Sequence, residues 1–75
     1  MSGHLPGYML SFPKTGYCRI SIGDTLEEAK ADAIAASNNL QQPCSLLLRA
    51  DYSVIGYTSR QKGDNFMAFE FRNRT

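Results

Sequence analysis

One stretch of this chain reads as a helix, and everything around it has the texture of strands. In Asp24-Thr25-Leu26-Glu27-Glu28, a Glu lies three residues beyond both Asp24 and Thr25. A capping box therefore starts the helix whichever of the two is the cap. Acidic residues in that first turn also suit the positive end of the helix dipole. Leu26, Ala29, Ala33, Ala36 and Leu40 follow at spacings of three and four, with Ile34 at the edge. Glu28, Asp32 and Asn39 fall on the opposite side and are expected to face water. Asn38-Asn39 and then Pro43 are the stop signals, so the pattern predicts a helix over 24–41. Its buried stripe is mostly alanine, which lets it lie close against a sheet.

The flanking segments carry strand patterns bounded by turn formers. Tyr8–Phe12 and Tyr17–Ile22 flank Pro13-Lys14-Thr15-Gly16. Leu46–Ala50 and Val54–Ser59 flank Asp51-Tyr52-Ser53, and Gln61-Lys62-Gly63-Asp64-Asn65 leads to a last strand, Phe66–Arg72. The order is β-β-α-β-β-β. The economical arrangement is an α+β single domain, 1–75, with one helix on one face of a mostly antiparallel sheet and a loose tail at 1–6. Apolar alternation assigns the buried sides. Cys18, Ile20 and Ile22 are expected inward, with Leu46, Leu48, Met67, Phe69 and Phe71, against Leu26, Ala33 and Leu40. Tyr17, Arg19, Arg49, Glu70 and Arg72 are then expected on the sheet face away from the helix.

Composition narrows the function. The chain has 75 residues, 43% of them apolar, enough for one small core and too many for disorder. Eight Lys/Arg against seven Asp/Glu give a formal charge of +1, which excludes an acidic nucleic-acid mimic and a strongly basic nucleic-acid binder. There is no apolar run of membrane-spanning length and no basic flank before an apolar stretch, so the expectation is a soluble, cytoplasmic domain without membrane contact. Cys18 and Cys44 are too few for a disulfide scaffold, and both are expected as reduced, largely buried thiols.

Catalytic equipment is sparse. The single histidine, His4, lies in the tail, and the carboxylates Glu27, Glu28 and Asp32 are explained by capping and solvation. His4, Cys18 and Cys44 lack metal-ligand spacing. No catalytic residue, metal site or cofactor is expected. The candidate partner-binding residues are Tyr17, Arg19, Arg49, Tyr52, Tyr57, Arg60, Lys62, Arg72 and Arg74. Tyr and Arg are favoured at interfaces, and residues 44–75 carry five cations against three acids. Exposed aromatics on a sheet also serve RNA-binding modules, but a near-neutral chain releases few counterions, so direct nucleic-acid binding is expected to be weak.

Two resemblances bear on function. Gly7-Tyr8-Met9-Leu10-Ser11-Phe12-Pro13, followed by Gly23-Asp24-Thr25-Leu26-Glu27-Glu28-Ala29, resembles the N-terminal half of HicB-type antitoxins over about residues 7–36. That resemblance implies neutralisation of a small toxin by binding. Across the whole chain, the element order and size resemble small phage-encoded anti-CRISPR inhibitors. Their helix start "[ST]-L-x-x-A-K" is matched by Thr25-Leu26-Glu27-Glu28-Ala29-Lys30. This second resemblance implies a non-enzymatic inhibitor in the bacterial host cytoplasm. Such a protein sterically blocks a subunit of a nucleic-acid-handling complex, and an unprotected sheet edge would invite dimerisation.

Overall fold

The capping box forms as the sequence implies. Thr25 is the N-cap, its hydroxyl accepting from the Glu28 N–H at 3.1 Å, while the Glu28 carboxylate accepts from the N–H groups of Asp24 and Thr25. From there helix α1 runs Leu26–Leu40, and Gln41 ends it in the left-handed conformation (φ 54°). Helix and sheet come from a computed structural model, which describes residues 7–60, 63 and 65–72. The tail at 1–6 and its His4, together with Lys62 and Arg74, lie outside the described residues. No described helix is long and apolar enough to cross a membrane.

The strands are β1 Tyr8–Phe12, β2 Tyr17–Ile20, β3 Ser45–Leu48, β4 Val54–Arg60 and β5 Phe66–Phe71. They form one antiparallel sheet in the order β2-β1-β3-β4-β5, the α+β architecture read from the pattern. The helix carries the chain from edge strand β2 across one face to β3, on the far side of β1.

The core sits between α1 and that face. Leu10, Phe12, Cys44 and Leu46 meet Ala29, Ala33 and Ala36, with Tyr8, Leu26, Ile55 and Phe69 packed around them. The alanine stripe is what allows the close approach. Ser37 joins it as a buried polar residue, its hydroxyl 2.6 Å from that of Thr58, whose oxygen also accepts from the Cys44 N–H at 2.9 Å. Each buried polar group there has a partner, so burial costs little. At Gly56 an added Cβ would collide with the Phe69 ring, which lies across β4 at that point.

Three expectations about which side faces the helix are corrected. In β2 the sides are reversed. Tyr17 packs on buried Phe12, Arg19 and Ser21 bond to the helix, and Cys18, Ile20 and Ile22 are exposed. In β5 Phe66 is buried and Met67 exposed, because the ladder slips between Ser59 and Arg60: Arg60 pairs with Phe66 but Ser59 with Ala68. Met67 is the extra residue of a β-bulge, which turns Phe66 to the side that strict alternation would have given Met67. Leu40, Leu48 and Phe71, at the ends of their elements, stay exposed rather than joining the core. Asn38 is also no stop signal. It sits inside the helix, its amide donating to the Phe66 carbonyl at 2.9 Å and accepting from the Phe66 N–H at 2.6 Å.

The bulge makes neighbouring residues energetically unlike. Phe66→Ala should lower the unfolding free energy by about 3–5 kcal/mol, whereas Met67→Ala should change it by about 0.5 kcal/mol or less. Denaturant titration of both variants checks this. A larger loss at Met67 would contradict the bulge.

Candidate functional site

Among the described residues no helix covers the second face of the sheet. The register places two rows of side chains across it. One row is Ile20–Met9–Leu47–Val54, and the other is Cys18–Ser11–Ser45–Tyr57–Glu70. Ile20 is 48% exposed and Tyr57 42%. Ile22, just beyond β2, is 84% exposed. The first row is entirely apolar, and the second has its only charge at the β5 end. Charge-poor centres of this kind distinguish protein interfaces from ordinary surface.

The residues singled out in the sequence do not gather there. Tyr57 lies on this face, and Arg72 follows β5 at its border, exposed, with its N–H bonded to the Ile55 carbonyl. Tyr52, exposed with φ 61°, lies in the β3–β4 turn near half-buried Arg49. Arg60, at the other end of β4, holds its guanidinium 4.4 Å from the centroid of the Phe66 ring. Tyr17 and Arg19, expected beside Arg49 and Arg72, lie on the helix side instead. Sequence reasoning missed Met9, Leu47 and Val54, and assigned Ile20 to the core. The missed signal was the apolar alternation of β1 at Met9, opposite to that of Leu10 and Phe12.

Arg19 is committed elsewhere. Its guanidinium makes a two-pronged bond with Asp32 on α1, both contacts 3.0 Å, and donates to the Ile20 carbonyl at 3.2 Å. Asp32 also accepts from the Ser21 hydroxyl at 2.9 Å and the Ile22 N–H at 3.1 Å. Its side chain is only 8% exposed, so Asp32 is an anchor rather than the solvated residue expected on the helix's wet side. Burial opposes the charge on Asp32. The bonds from Arg19, Ser21 and Ile22 outweigh it and hold the carboxyl below the ordinary carboxylate value. The same bond to Asp32, partly offset by burial, raises Arg19 above its own ordinary value.

A cleft of about 480 Å³ opens beside this pair, between α1 and the β1–β2 hairpin, lined among others by Phe12, Tyr17, Leu40 and Gln42. Four of its polar side chains are paired with one another, Arg19 with Asp32 and Thr15 with Gln42 at 3.1 Å. Burial pushes the Cys44 thiol up to about 11, so it is protonated at neutral pH. Among the described residues no three His, Cys, Asp or Glu side chains lie together as metal ligands would.

No protein-family model, curated protein or solved structure matches this chain.

The anchor has a pH signature. The unfolded chain's aspartate titrates near ~3.9, and the folded value is lower. The stabilisation is therefore fully present above the unfolded value and lost as pH falls through the folded one. At about pH 7 Asp32→Asn should cost roughly 2 kcal/mol, the scale of hydrogen bonds to a charged group. The gap between native and variant should close as acid protonates the carboxyl. Denaturant midpoints measured across pH check both statements.

Proposed function

We propose that this domain is a non-enzymatic binding protein, an inhibitor of the anti-CRISPR kind, that docks on a subunit of nucleic-acid-handling machinery and blocks it sterically. One observation carries this reading: a sheet face left without a helix, whose central row is Ile20, Met9, Leu47 and Val54. In a domain of 75 residues apolar surface is scarce, and leaving a row of it on a preformed, rigid face is more useful for contact than for stability. The face needs no ordering on binding, which spares the entropy that a flexible segment would lose.

The polar border supports the same reading. Tyr57 offers a large amphipathic ring within the face, and Arg72 lies at its margin. Arginine forks onto carboxylates or backbone carbonyls, groups that a nucleic-acid-gripping protein presents around its basic groove. Arg19, held by Asp32, is left out of the contact set, and Arg49 and Tyr52 extend it at the β3–β4 end.

The test is affinity capture from bacterial host lysate, with identification of the bound protein and an assay of its nucleic-acid binding. The native chain should capture one subunit and block its grip on nucleic acid. Ile20→Lys combined with Tyr57→Ala should abolish capture while circular dichroism stays native. Ala31→Arg, on the exposed side of α1, should leave capture intact. Loss with the helix variant alone would overturn the docking face. Tight, salt-resistant binding of an oligonucleotide by the purified chain would overturn the protein-inhibitor reading.

A further inference from the structure

Asp32 uses only one edge of the Arg19 guanidinium. Nη1 and Nη2 each donate to one of its carboxylate oxygens, and Nη1 donates also to the Ile20 carbonyl. A guanidinium carries five N–H groups in one rigid plane. The two left over, on Nε and Nη2, lie parallel along the adjoining edge and have no partner among the described residues. Arg19 therefore holds a second two-pronged donor, already oriented by the first. It is not sealed in. Its side chain is 32% exposed and lines the cleft between α1 and the β1–β2 hairpin.

The rest of the lining narrows what fits that fork. Tyr17 and Arg19 are alternate residues of β2, so both stand on the helix side of the sheet. The Tyr17 ring leans on Phe12, with centroids 5.8 Å apart, yet the residue is 49% exposed. A half-open aromatic ring of this kind is a stacking platform for a flat ligand. Ala35 and Leu40 extend the apolar lining beside it. Arg19 and Asp32 are the only charged side chains in the described lining, and their charges cancel. A carboxylate or phosphate on the fork finds no net positive charge and feels Asp32 across the guanidinium. Two adjacent neutral acceptors on a planar ring meet no such repulsion.

We infer that the cleft binds a guanine-type purine base, its O6 and N7 on the free fork of Arg19 and its ring stacked on Tyr17. Guanine presents those two acceptors side by side, which is the edge arginine pairs with most often in nucleic acids. Adenine carries an amino group in place of O6, which turns a donor toward an Arg19 N–H and loses one of the two bonds. The cleft, about 480 Å³, lies within the range of small-molecule sites.

Proton–nitrogen NMR reads the Arg19 Nε–H directly, so titrations followed in this way test the site. Guanosine and adenosine monophosphates carry the same phosphate, and the difference between them reports the base. Guanosine monophosphate should shift the Arg19 Nε–H and bind about tenfold or more tighter than adenosine monophosphate. A single-stranded RNA tetramer with one guanine, run beside its adenine counterpart, should show the same preference. Whichever of the mononucleotide and the strand binds tighter names the source of the base. Ala35→Phe, from an exposed position in the lining, should fill the cleft and abolish the shift while circular dichroism stays native. No shift at Arg19 with either guanine probe at millimolar concentration would overturn the inference. So would equal binding of the adenine probes, displacement of guanosine monophosphate by equimolar acetate, or binding unchanged in Ala35→Phe.

Discussion

The carboxylate of Asp32 holds the least obvious part of this fold in place. It gathers the Arg19 guanidinium, the Ser21 hydroxyl and the Ile22 N–H at one point on the helix. By doing so it decides which side of β2 faces α1. Because alternate residues of a strand point opposite ways, fixing Arg19 and Ser21 toward the helix sends Cys18, Ile20 and Ile22 to the other side. The same interaction caps backbone groups along the outer edge of β2. This partly buried ion pair thus sets the side-chain direction of an edge strand, caps two backbone groups of that edge and supplies the apolar end of the uncovered face. A charged group placed here keeps its stability only while every partner is present, since an unpaired buried charge is costly.

The parts of the fold visible in the sequence are those governed by local chemistry. Thr25 and Glu28 form the capping box that their spacing requires, and Ala29, Ala33 and Ala36 form the buried stripe. The turn residues separate the strands in the expected order. What could not be read depends on residues distant in sequence. In Tyr17-Cys18-Arg19-Ile20-Ser21-Ile22, apolar alternation points Cys18 and the isoleucines inward, and only the link from Arg19 to Asp32, thirteen positions away, reverses it. Phe66 and Met67 are adjacent and both apolar, so nothing local announces a bulge between them. For the site, the tyrosines and arginines of the chain were visible as residue types. Their scatter over four regions of the domain was not, nor was the open row through Met9, Leu47 and Val54.

These corrections have one consequence in common. A rule that places every large apolar residue in the core assumes that both faces of the sheet are covered or that the bare one is polar. Among the described residues a single fifteen-residue helix covers one face, while apolar side chains remain on the other. Exposed apolar area of this kind contributes nothing to folding and is available to association, where its removal from water is favourable.

The uncovered face rests on the direction of β2, and native-state thiol labelling reads that direction directly. Cys18 is exposed on the open side of β2, whereas Cys44 is 1% exposed in the core beneath the helix. Under native conditions a water-soluble thiol reagent should react rapidly with one cysteine, which peptide mass mapping should identify as Cys18. Cys44 should react only on unfolding, through the same opening that exposes the core. Protection of Cys18 in the folded chain, with both thiols released together on denaturation, would place it inward and contradict the account.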